Sequence, residues 1–147
     1  MHSNKLSYQK VKNKYLKYIK SQEVLSEPFR NKINQFNNFY LPISQMIYKN
    51  YLINKKTQVI GLTGGQGSGK STISNILKIL LKENFNLETV IFSIDDFYKT
   101  FKERKIMSKN VSSLFLTRGV PGTHDTKMIL NSIKALKNSR FKKILIP

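Results

Sequence analysis

GLTGGQGSGKST, Gly61 to Thr72, is the stretch on which the fold of this 147-residue chain turns. The apolar run Val59-Ile60-Gly61-Leu62 leads into it and a helix-like pattern follows. Within it, Gly64-x-x-x-x-Gly69-Lys70-Ser71 fits the phosphate-binding loop that joins a strand to a helix. Glycines let successive backbone N–H groups curl around phosphate oxygens at angles a Cβ would obstruct. The helix that begins near Lys70 turns its unsatisfied N–H groups and positive dipole end toward the same anion. Gly64, Gly65, Gln66, Gly67, Ser68, Gly69, Lys70, Ser71 and Thr72 are therefore the expected nucleotide-binding residues. Lys70 supplies a mobile charge for the β- and γ-phosphates, and the Ser71 hydroxyl is the expected ligand for Mg²⁺. ATP and Mg²⁺ are the expected cofactors.

Outward from the loop, strands and helices alternate. Residues 57–62, TQVIGL, and 88–94, ETVIFSI, read as short buried strands, and 142–147, KKILIP, as a third. Ser71 to Asn84 carries Ile73, Ile76, Leu77 and Leu80 on one helical face. Residues 100–111 are ambiguous but mostly helical, and Asp125 is placed to cap a helix through Asn138 with Met128, Ile129, Ile133 and Leu136 inward. This order predicts an α/β fold: a parallel sheet flanked by helices, in the manner of P-loop NTPases. Upstream, Val11, Tyr15, Tyr18 and Ile19 mark one amphipathic helix, and Ile43, Met46, Ile47 and Tyr51 another. Residues 1–56 are thus expected to form a helical extension packed on a core that starts at residue 57.

Composition removes several function classes. There is no cysteine, so thiolate metal centres are excluded, and the two histidines, His2 and His124, lie far apart, which argues against a histidine metal centre. No apolar run reaches the roughly 20 residues of a membrane span, and the N-terminus lacks a signal-peptide core. The N-terminus is basic and free of acids until Glu23, but holds no arginine before Arg30, which argues against a transit peptide. A cytoplasmic protein is the expectation. The net charge of +18 rests mostly on lysine, with four arginines, and is spread evenly: 11 basic and 2 acidic residues before residue 57, 15 and 6 after it. Solvated lysines explain this better than a nucleic-acid interface, which concentrates its charge.

SIDDFYKT, Ser93 to Thr100, sits at the C-terminal end of the second expected strand, the edge where open α/β sheets place ligands. A carboxylate there can orient an attacking hydroxyl and accept its proton during phosphoryl transfer. The plainer reading is that Asp95 and Asp96 merely cap the following helix. The phosphate loop upstream tips the balance toward catalysis.

Taken together and in this order, GLTGGQGSGKST, SIDDFYKTFKER and RGVPGTHD resemble the P-loop D-glycerate 3-kinases, relatives of uridine kinase, phosphoribulokinase and bacterial pantothenate kinase. The resemblance runs from about Tyr40 to Pro147 and does not extend to residues 1–39. It implies ATP-dependent phosphorylation of a small hydroxy acid, D-glycerate to 3-phosphoglycerate. The related kinases read Ser-x-Asp-x-Phe at this place, which makes Asp95 the implied base and Asp96 the secondary candidate. RGVPGTHD is then a loop on the substrate side. Arg118 is suited to grip a carboxylate bidentately and His124 to donate to a carboxylate or hydroxyl, although a surface arginine and a loop-packing histidine are the plainer readings. Tyr98 and Phe97 either wall the substrate pocket or pack under the sheet edge. Members of that family continue past this point with further strands, a Walker-B-like acid and a basic lid. The resemblance therefore implies that residues 57–147 are the N-terminal part of a kinase domain, either a fragment or a truncated relative. Other readings of the sequence are a kinase of a nucleoside, pantothenate or sugar phosphate, and a nucleotide-binding module without catalysis. The sequence leaves the oligomeric state open.

Overall fold

The computed structural model describes residues 2–24 and 28–138. They gather in two compact units, one drawn from 2–24, 28–56 and 60–91, the other from 57–59 and 92–138.

The first unit is built from helices α1 (His2–Gln22), α2 (Lys32–Gln35), α3 (Leu41–Asn54) and α4 (Lys70–Phe85). Val11, Tyr15 and Ile19 recur every four residues on α1, so they lie on one face, and all three are buried. They close a core with Phe36 and with Ile76 and Leu80 of α4. The Tyr15 ring packs tilted against the Phe36 ring with centroids 5.0 Å apart, and its hydroxyl donates to the Lys32 carbonyl at 3.0 Å, so its polar end is satisfied inside the core. Burial, with Tyr40 nearby, pushes the Tyr15 phenol up to about 12. At the rim Glu83 of α4 receives Lys14 at 2.5 Å and Lys10 at 3.6 Å, both from α1. The Lys14 hydrogen bond, followed by the two lysine charges, holds the Glu83 carboxyl below its ordinary value. This contribution is complete above the usual carboxylate range and fades as pH falls through the lowered value. Leu80→Ala removes the centre of the contact and should cost about 2–5 kcal/mol of stability in urea unfolding followed by circular dichroism.

Between α2 and α3 the chain makes a π-helical turn, Phe36–Tyr40. Pro42 stands in the first turn of α3 and has no N–H to give back to the preceding turn, so the ladder opens just before it. The buried face of α3 is accordingly Ser44 and Ile47, with Tyr48 and Tyr51 half-buried. Ile43 and Met46, expected inward, are exposed. Tyr48 stacks on Phe85 of α4 at 4.2 Å.

The second unit holds a 3₁₀ turn (Ile94–Phe97), helix α5 (Phe101–Asn110), a second 3₁₀ turn (Ser113–Leu116) and helix α6 (Thr126–Asn138). A capping box starts α5. The Thr100 hydroxyl accepts from the Glu103 N–H, and the Glu103 carboxylate accepts from the Thr100 N–H at 2.7 Å. Asp125 accepts from the Met128 N–H at 2.9 Å and so caps α6. Met128, Ile129, Ile133 and Leu136 are half-buried there. Arg104 is buried and donates to the carbonyls of Lys99 and Leu116, pinning the second 3₁₀ turn to α5.

The sheet is where expectation and structure part. Among the described residues, 57–62 and 88–93 form no strand, and Ile94 belongs to a 3₁₀ turn. Val59 is 59% exposed and Val90 60% exposed, as are Ile60, Leu62 and Ile91 to lesser degrees. A parallel strand is held by neighbours on either side and by helices on both faces. Without a ladder partner, a six-residue apolar segment has nothing to keep it extended. The third expected strand, 142–147, lies outside the described residues. No described helix is long and apolar enough to cross a membrane.

Candidate functional site

In the first unit, the chain is exposed from Gly61 through Gly69. Gly69 caps α4 with φ at 79°, a left-handed conformation that favours glycine. Gly64 approaches Ser68 so closely that a Cβ would meet the Ser68 hydroxyl at 2.8 Å. The first helical bond of α4 runs from the Ile73 N–H to the Gly69 carbonyl at 2.9 Å. The amides of Lys70, Ser71 and Thr72 are thus left without an intrahelical acceptor. Lys70 folds back over the loop, its ammonium donating to the carbonyls of Gly64 at 2.8 Å and Gly65 at 2.6 Å. Free amides at a helix N-terminus, a glycine cradle and one ammonium on a flexible stem fit a phosphate chain. The exposed Ser71 hydroxyl fits a Mg²⁺ ion bound to that chain, a metal that takes few protein ligands.

In the second unit, the two aspartates have different jobs. Asp96 completes a capping box: its carboxylate accepts from the Ser93 N–H at 2.7 Å, while the Ser93 hydroxyl caps the same turn. Asp95 points away with its side chain 71% exposed. It accepts from the Tyr98 hydroxyl at 3.1 Å, and His124 Nε2 stands 3.6 Å from the same Oδ1 oxygen. Phe97 is fully buried against Phe92 and belongs to the core rather than to a pocket wall.

RGVPGTHD, Arg118 to Asp125, is fastened to this turn by its backbone. The Lys99 N–H donates to the Thr123 carbonyl at 2.8 Å and the Asp125 N–H to the Phe97 carbonyl at 2.7 Å. An antiparallel bridge between Tyr98 and His124 results. Gly122, at φ 94°, lies against Phe115, which a Cβ would strike at 2.9 Å, so the loop needs glycine to reach this position. The pairing stacks the Tyr98 and His124 rings at 4.2 Å and sets the Arg118 guanidinium 5.4 Å from the Tyr98 ring centre. Burial, then the Asp95 carboxylate, raises the Tyr98 phenol above its ordinary value, so it stays a donor. His124 Nε2 is buried and has no hydrogen-bond partner among the described residues. Asp95, Tyr98, Arg118 and His124 therefore form one cluster, whereas Asp96 is committed to the cap. Ser93 escaped the sequence reading although Ser-x-x-Asp is a capping-box spacing. The buried Arg104 carried no signal in its local pattern.

The loop and its helix define a P-loop nucleotide-binding domain. The chain belongs to the KAP family P-loop domain, which matches residues 36–144. It is also similar to the uncharacterized kinase mug58 of Schizosaccharomyces pombe, 37% identical over 91 residues, 60% of this chain and 32% of that protein. The probable ATP-dependent kinase TDA10 of Saccharomyces cerevisiae is 36% identical over 90 residues, 58% of this chain and 31% of that protein. A pantothenate kinase of Streptococcus suis is 24% identical over 129 residues, 74% of this chain and 40% of that protein. The chain spans about a third of the length of the first two relatives. No solved structure matches it significantly.

Proposed function

We propose that this chain carries the nucleotide-binding and acceptor-side parts of an ATP-dependent kinase for a small hydroxy acid, with D-glycerate, giving 3-phosphoglycerate, as the leading acceptor. The observation that carries the reading is the single cluster of Asp95, Tyr98, Arg118 and His124, assembled by the backbone pairing of residues 97–99 with 123–125. An exposed carboxylate beside a cation and an imidazole suits an acceptor that bears both a hydroxyl and a carboxylate. The kinase names of the relatives support the reaction class.

In this reading the loop amides and Lys70 hold the triphosphate. Ser71 holds Mg²⁺, which supplies charge neutralisation at the β- and γ-phosphates. Arg118 grips the acceptor carboxylate, His124 donates to it or to a hydroxyl, and Asp95 accepts the proton of the attacking hydroxyl. The acceptor oxygen bonds to the γ-phosphorus as the bond to the bridging oxygen of ADP breaks. Residues 1–56 are then a helical extension upstream of this nucleotide-binding part. The partner is a small molecule rather than nucleic acid, and the compartment the cytoplasm.

Similarity to a pantothenate kinase favours a second reading, because pantothenate also joins a hydroxyl to a carboxylate. Acceptor-dependent ADP release from MgATP, measured with D-glycerate, pantothenate, uridine and ribulose 5-phosphate side by side, separates the two. Turnover with D-glycerate alone is the expected result. Turnover with pantothenate instead moves the assignment, and silence with all four in a folded chain that binds MgATP sinks the kinase reading.

A further inference from the structure

We infer that Tyr98 is the positioning residue of this cluster: it holds Asp95 in one orientation through its hydroxyl and carries His124 and Arg118 on its ring. The inference rests on the phosphoryl-transfer reading and gives that site an internal organiser. The single side chain touches all three other members. Its hydroxyl donates to Asp95 Oδ1 at 3.1 Å, one contact of the ring is the His124 imidazole at 4.2 Å and 28°, and the Arg118 guanidinium sits 5.4 Å from the ring centre.

An exposed aspartate samples several rotamers, and a base must be in the right one when the hydroxyl attacks. Asp95 is exposed, so packing does not hold it. Among the described residues both of its side-chain contacts, Tyr98 and His124, fall on Oδ1. That arrangement anchors one oxygen and leaves Oδ2 to receive the acceptor proton. Tyr98 is itself fixed through its backbone, because it forms the bridge with His124 while Lys99 and Phe97 on either side make the two inter-segment hydrogen bonds. The raised phenol keeps its proton at neutral pH, which suits an orienting donor and not a base. For Arg118 the ring is a platform: a guanidinium over an aromatic face is held by the ring quadrupole and loses less freedom on gripping a carboxylate.

The two halves of the side chain can be removed separately. Tyr98→Phe deletes the hydroxyl and keeps the ring. It is expected to lower kcat about tenfold or more, the scale of a hydrogen bond to a charged group, with the acceptor KM changed less than about twofold, as for an interaction that does not bind substrate. Tyr98→Leu deletes the ring as well and should raise the acceptor KM in addition. An unchanged kcat in Tyr98→Phe overturns the inference, and so does a rise in KM alone, which would make Tyr98 a substrate contact.

A readout independent of turnover keeps this separate from the kinase reading. The chain has three aspartates, Asp95, Asp96 and Asp125, so selective ¹³C labelling gives three carboxyl signals, with Asp95→Asn assigning the one of interest. Tyr98→Phe should move the Asp95 signal toward that of a free aspartate and leave those of Asp96 and Asp125 in place. If the wild-type chain phosphorylates none of the acceptors, the function falls while this signal still decides the positioning. An Asp95 signal identical in wild type and Tyr98→Phe overturns it.

Discussion

Asp95→Asn is expected to lower acceptor-dependent ADP release by about 10²–10⁴-fold, the range over which a positioned general base acts. The substitution changes no heavy-atom shape, and the amide oxygen still accepts from the Tyr98 hydroxyl, so the cluster with His124 and Arg118 should persist. What disappears is the basic oxygen. Because the phosphate loop makes its contacts through other residues, MgATP affinity should stay within about twofold, as for a group that acts in the transition state and not in nucleotide binding. Measuring both quantities on one preparation separates a chemical defect from a folding defect.

The neighbouring carboxylate is the control. Asp96 bonds to the Ser93 N–H and finishes the cap of the 3₁₀ turn. Asp96→Ala should therefore cost about 1 kcal/mol of stability, the scale of a lost cap, and leave turnover reduced only as far as the turn loosens. Equal turnover in Asp95→Asn and wild type removes Asp95 as the base. A silent Asp96→Asn beside an active Asp95→Asn would exchange the two roles.

The contrast between these two aspartates shows what a sequence reveals and what it withholds. Local rules were sufficient where the physics is local. The glycine pattern and Lys70 announce the phosphate loop, the four-residue spacing of Val11, Tyr15 and Ile19 announces α1, and Asp125 announces the start of α6. The assignment of Asp96 to a cap was also present, in its three-residue distance from Ser93, but a pair of adjacent carboxylates draws attention as a pair. The Ile43 and Met46 stripe misled because the π-helical turn ahead of Pro42 sets which face of α3 is docked. The bridge between Tyr98 and His124 lies beyond any local rule, since nothing in either stretch of sequence states that they meet. The expected strands at 57–62 and 88–94 are not formed, for a related reason. Apolar, β-branched segments such as 57–62 report a willingness to enter a sheet, and entry depends on partner strands that no local pattern specifies.

Lys70→Ala should weaken MgATP binding and transfer together, about 10–100-fold in affinity if the ammonium makes one strong hydrogen bond to a phosphate oxygen. Its present partners, the carbonyls of Gly64 and Gly65, belong to an exposed loop, so their loss should affect folding little. Lys70→Arg keeps the charge, but it replaces a compact ammonium with a broad planar fork. Arg is therefore expected to recover only part of the affinity. Isothermal titration with MgATP gives the number directly, and an affinity unchanged in Lys70→Ala would remove Gly64–Thr72 as the nucleotide site. Read with Asp95→Asn, the outcome also separates an enzyme from a binding module. In an enzyme Lys70→Ala lowers binding and turnover while Asp95→Asn lowers turnover alone. In a module the first still lowers binding, and the second has nothing to lower.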